Sequence, residues 1–82
     1  MILVITNPVF GQNLKQLRRK HGLTRFALAK QLGLPWWKLW KLENPRWPSR
    51  GMELESVAFF NIGKVFGLDP HKLLYPDFLS DS

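Results

Sequence analysis

The sequence predicts an all-α fold, a bundle of five short helices preceded by a short strand or extended arm. Three observations carry that expectation. From Phe10 onward, apolar residues recur at helical spacing in one segment after another. Glycine or proline punctuates the junctions, at Gly22, Gly33, Pro35, Gly67 and Pro70. A chain of 82 residues has room for one core and no second domain.

Residues 1–9 begin with "ILVIT", a β-branched run closed by the turn signal Asn7-Pro8, and read as the strand or arm. In the first helix Phe10, Leu14 and Leu17 share one face and basic residues the other, until His21 and Gly22 stop it. Thr24 is a good N-cap for the second helix, which carries Phe26, Leu28, Ala29 and Leu32 and ends at Gly33. Pro35 suits the first turn of a third helix, where its missing N–H costs nothing. Leu39 and Leu42 give that helix its buried stripe. The stretch "ENPRWPSRG" holds two prolines and a glycine and is expected to be a loop. A fourth helix is expected from about Met52 to Val65, with Leu54, Val57, Ala58, Ile62 and Val65 inward. Asp69 as cap and Pro70 behind it mark a short fifth helix. The helical domain thus spans residues 10–75, and residues 76–82 form a tail. The turn at Gly33 is so short that the second and third helices should cross steeply.

Charge is unevenly spread. Residues 10–50 carry ten basic side chains against one acid, Glu43, whereas residues 51–82 carry two bases against five acids. A polarised basic half suits a phosphate backbone or another anionic surface. Cysteine is absent, which excludes disulfides and thiolate metal sites. His21 and His71 lie far apart without ligand spacing, so neither a metal nor another cofactor is expected. No Ser–His–Asp set, paired carboxylate or Gly-rich phosphate loop suggests an enzyme. His21 reads as a helix C-terminal residue favoured by the dipole, and Glu53, Glu55 and Asp69 as helix N-terminal charges. No apolar run approaches the roughly 20 residues of a membrane helix. "MILVI" is too short for a signal-peptide core and lacks a basic stretch before it. The expected location is the cytoplasm.

The sharpest local signal is "LPWWKLWKLE". Three of the four tryptophans fall within five residues of one short helix. At about 100° per residue, Leu39 and Leu42 point to one side, and Trp37, Trp40 and Lys41 to the opposite side. Trp36 and Lys38 flank them. The indoles therefore cannot enter the core that the leucines enter.

The stretches "NLKQLRRKHGLTRFALAKQLGLPWWKLWKLEN" and "FFNIGKVFGLDPHKLL" resemble the Cro/CI-type (XRE-like) helix-turn-helix regulators. The resemblance runs from about Phe10 to Leu74. It implies a five-helix lambda-repressor-like bundle in which Ala29 permits close helix approach, Gly33 takes the turn and Leu34 plugs beneath it. Leu28, Leu32, Leu39 and Leu42 complete the inner face. It further implies a structural ion pair between Arg18 and Glu43. The third helix would enter the DNA major groove, presenting Trp36, Trp37, Lys38, Trp40 and Lys41. Thr24 and Arg25 would meet phosphates at the second helix N-terminus. Lys41 would reach guanine O6 and N7. Trp36 and Trp37 depart from the Gln, Asn, Ser, Thr or Arg usual there, and would contact thymine methyls or the sugar wall instead.

Arg46 and Arg50 are expected to clasp the DNA backbone on the other side, from the loop, with Trp47 either packed on the fourth helix, the preferred reading, or set against a sugar. Lys15, Lys20 and Lys30 lie too far from the groove and serve solubility. The expected function is sequence-preferring binding of double-stranded DNA by a phage-repressor-like transcriptional regulator, associated with the nucleoid. Two alternatives stay open. The tryptophan face is a protein interface in an antitoxin-like component or complex subunit, or its indoles stack on unpaired bases. A further, plainer outcome is that the arm or tail folds over the patch. One such domain buries too little surface for tight discrimination, so a homodimer on two half-sites is expected. Either "MILVIT", pairing as a strand with a symmetry mate, or "KLLYPDFL" is the dimerising segment. Phe59 and Phe60 are adjacent and must point different ways, leaving one for that interface.

Overall fold

The computed structural model describes residues 1–76. Four α-helices and a two-stranded antiparallel sheet overturn the all-α, five-helix expectation. The order is β1 (Ile2–Ile5), α1 (Val9–Lys20), α2 (Arg25–Leu32), α3 (Trp36–Glu43), β2 (Met52–Glu55) and α4 (Ser56–Phe66), then a 3₁₀ turn at Pro70–Leu74.

The correction begins at "MELE". These residues were expected to open the fourth helix, but they alternate with period two. Met52 and Leu54 are buried while Glu53 and Glu55 are exposed. They pair with the β-branched run at the chain start in the register Ile2↔Glu55, Leu3↔Leu54, Val4↔Glu53 and Ile5↔Met52. Residues Ile2–Ile5 therefore have a strand partner within the same chain along one edge. The helix begins only at Ser56, which turns Val57 outward to 67% exposure, against the expected inward position. Phe59 is buried and Phe60 exposed. The expected fifth helix shrinks to the 3₁₀ turn. Asp69 caps it by accepting from the His71 backbone N–H at 3.0 Å. That bond, and then the His71 ring at 2.9 Å, hold the Asp69 carboxyl below the usual carboxylate range. Residues 77–82, including Phe78 and Leu79 of the second dimerisation candidate, lie outside the described residues.

One core joins all these elements. Phe10, Leu14 and Leu17 from α1 meet Leu28, Ala29 and Leu32 from α2, Leu39 and Leu42 from α3, and Ala58, Phe59 and Ile62 from α4. Ile5, Met52 and Leu54 close it from the sheet, and Leu73 from the 3₁₀ turn. Phe10 and Phe59 stack with ring centroids 5.8 Å apart. Buried Asn13 donates to the carbonyls of Leu73 and Tyr75, and Asn7 to that of Leu74, so two amides tie the 3₁₀ turn back onto α1 and the turn that precedes it.

Helix α3 is anchored at its C-terminal end by an unusually close approach. A Cβ on Gly11 would collide with the Leu42 carbonyl, so only glycine lets α1 reach α3 there. The Trp47 indole N–H donates to that same carbonyl at 3.0 Å, satisfying one of the unpaired acceptors of a helix end. Trp47 thus packs at the α1–α3 junction, against the common core.

Candidate functional site

The α2–α3 pair is built from local chemistry. The Thr24 hydroxyl accepts from the Ala27 N–H at 3.1 Å and starts α2. Gly33 ends it at φ 73°, with the Leu34 N–H reaching the Ala29 carbonyl at 2.9 Å and the Gly33 N–H that of Lys30. Only Gly33, Leu34 and Pro35 separate the helices. Leu34 is partly buried against the core, as the turn's own plug.

Beneath the pair lies a buried charge cluster. Glu43 is 2% exposed. Arg18 grips it with two bonds, Nε to Oε2 at 2.8 Å and Nη2 to Oε1 at 3.0 Å, and donates a third from Nη1 to the Leu23 carbonyl. Arg25 Nε adds a bond to Oε1 at 3.0 Å. One carboxylate at the end of α3 therefore clamps α1, the following turn and α2 together. Arg25, whose side chain is 37% exposed, spends its Nε on this clamp at the start of α2, where the sequence suggests a phosphate contact alone.

The opposite side of α3 is open. Leu39 and Leu42 are fully buried, whereas Trp36, Trp37 and Trp40 are each about half exposed. None of the three indole N–H groups has a hydrogen-bond partner among the described residues. Phe26 of α2 lies outside the core. It is 68% exposed and lies 5.8 Å from Trp36, extending the aromatic surface onto α2. The Lys41 ammonium sits 5.3 Å from the Trp37 ring centroid.

The loop after α3 supplies the other wall of a groove of about 560 Å³. Asn44 shapes that loop by accepting from the Arg46 N–H at 2.9 Å. Trp37, Lys38, Trp40 and Lys41 line one side, and Arg46, Arg50 and Glu53 the other. Lys38, Lys41, Arg46 and Arg50 make no ion pair among the described residues. Four cations and two indoles thus converge with a single carboxylate among them. A shallower cleft of about 250 Å³ continues past Trp37 to Ile2, Leu34 and Glu55.

Sequence reasoning put Trp36, Trp37, Lys38, Trp40 and Lys41 around one face of the third helix and Arg46 and Arg50 in the loop beyond it, and all of these but Trp36 line one groove. It missed Glu53, because β2 was read as helix, and it gave Phe26 no part in the aromatic face. Among the described residues no three His, Cys, Asp or Glu side chains gather as a metal site, and no helix is long and apolar enough to cross a membrane. No family model, curated protein or solved structure matches the chain.

Proposed function

We propose that this chain binds double-stranded DNA with sequence preference, inserting α3 into the major groove as a Cro/CI-type helix-turn-helix does, and acts as a transcriptional regulator on the nucleoid in the cytoplasm. The observation that carries this reading is the contrast across α3. Its underside is fixed by leucines and the Glu43 clamp, and its outer side offers indoles and unpaired cations to an external polyanion. Lys38, Lys41, Arg46 and Arg50 lie around one groove, and the N-terminus of α2, with the Arg25 nitrogens that Glu43 does not hold, is available for the backbone. With about six phosphates neutralised, the slope of log affinity against log salt is about −5. A salt series on random duplex, single strand and duplex pools enriched by selection tests it. A slope near zero on duplex rejects the reading, and a preference for single strand moves it to base stacking.

A homodimer on two half-sites belongs to the same proposal. The Met1 carbonyl accepts from the Ser56 N–H, so odd-numbered residues of β1 face β2. By alternation, Ile2 and Val4 turn their N–H and C=O groups to the open edge, with no charge on that strand to block a second copy. Val4→Lys should lower the dimer fraction in sedimentation; an unchanged dimer clears the edge of this role.

One observation favours a second reading. The cleft that runs from Trp37 to Ile2 joins the aromatic surface to exposed apolar residues of the sheet. A patch of that extent suits a protein partner, as in an antitoxin-like component or a complex subunit. Partner binding that Ile2→Lys abolishes while duplex affinity is kept would favour it.

A further inference from the structure

We infer that Trp37 and Lys41 act as one reader of a composite feature, the methyl group of a 5-methylpyrimidine followed on the same strand by the acceptor edge of guanine. The inference rests on the duplex-binding reading and names the step it prefers. Lys41 follows Trp37 by four residues, one helical turn on the same face. Its ammonium lies 5.3 Å from the indole centroid, so the cation and the ring form a preset pair. Lys41 makes no ion pair or hydrogen bond among the described residues, which leaves its N–H groups for an incoming acceptor. The ring beside it is half exposed and presents an apolar surface. A ligand that suits both sets an apolar group next to an acceptor, and the ammonium is served best where two acceptors stand together with no donor beside them.

The major groove offers that combination narrowly. Guanine shows two acceptors, N7 and O6, whereas adenine places an amino donor beside its N7. Among unmodified bases only thymine carries a methyl. Bases along one strand are spaced by about 3.4 Å, so a methyl and the acceptors of its neighbour can meet the pair together. Thymine–guanine meets the requirement. Cytosine–guanine does not, because the methyl is missing, until the cytosine is methylated at C5. Cytosine methylation then creates a binding step where there was none. Glutamine or asparagine at position 37 would read an adenine edge instead; an indole replaces hydrogen-bond readout with contact to a methyl.

The test uses the full chain and three sets of duplexes. A pool enriched from random duplex is remade with deoxyuridine in place of thymine, and duplexes rich in cytosine–guanine steps are compared with and without C5 methylation. We expect deoxyuridine to weaken binding by about fivefold, the scale of one buried methyl, and cytosine methylation to strengthen it by a similar factor. The enriched pool should contain thymine–guanine steps above their random frequency. Trp37→Ala should bring the thymine and deoxyuridine pools to equal affinity, with helix content by circular dichroism unchanged. Lys41→Gln should keep the methyl effect but lose the enrichment for guanine. Salt-dependent duplex binding that ignores both methyl changes overturns the reader alone. Absence of duplex binding in low salt overturns the duplex reading with it.

Discussion

Trp47 and the tryptophans of α3 use the same side chain in opposite ways. Trp47 is packed at the α1–α3 junction, and its N–H is committed to the Leu42 carbonyl. Trp36, Trp37 and Trp40 leave about half their surface to solvent and commit no N–H. The first kind of indole is committed to the fold by packing and a hydrogen bond, and the second only by the half of its surface that is covered. A short helix that carries three of the second kind leaves an aromatic surface open to solvent, and the proposed function assigns that surface to duplex DNA. The same division runs through the cations: Arg18 is consumed by Glu43, and Lys38, Lys41, Arg46 and Arg50 are left open.

The comparison is broken most violently from beneath. Glu43→Ala leaves Arg18 buried without its partner, at a cost of about 3–5 kcal/mol in denaturant unfolding, enough to unfold a domain this small. Gly11→Ala drives a methyl into the Leu42 carbonyl and should cost about 3 kcal/mol by the same measurement. Trp47→Phe keeps most of the ring and strands the carbonyl, for a loss of about 1–2 kcal/mol. Trp37→Ala and Trp40→Ala sharpen the contrast. Each should cost no more than about 2 kcal/mol of stability, the contribution of its covered half, yet lower duplex affinity about tenfold or more in a fluorescence or gel assay. Smallest of all, Arg46→Ala and Arg50→Ala should each reduce the salt slope by about 1 and leave sequence preference intact.

How much of this was legible depends on how local the cause is. Thr24, Gly33 and Pro35 act within one turn of themselves, and the α2–α3 unit can be read directly from them. The outward placement of Trp37 and Lys41 follows from helix periodicity relative to Leu39 and Leu42. Strand β2 was not legible in this way. Met52, Leu54 and Glu55 fit a helix start as well as a strand, and the choice is made by Ile2–Ile5, some fifty residues earlier in the chain. Hydrogen bonding to that distant run, together with burial of Met52 and Leu54, outweighs local propensity. Gly11 carried a faint signal, since an interior glycine costs a helix about 1 kcal/mol relative to alanine and asks for a packing reason. What it accommodates, the Leu42 carbonyl, comes from another helix. Arg25 looked like a free cation because its carboxylate partner is eighteen residues away. The four cations and two indoles of the groove meet across a loop whose path no periodicity describes.

The most direct measurement is duplex titration of the Trp47→Phe protein followed by indole emission, since every remaining indole then lies on α3. Duplex DNA at low salt should change the emission, with a saturation curve that coincides with the binding isotherm and reverses on adding salt. Full duplex binding with the emission unmoved would place the contact elsewhere on the molecule and contradict the role assigned to this helix face.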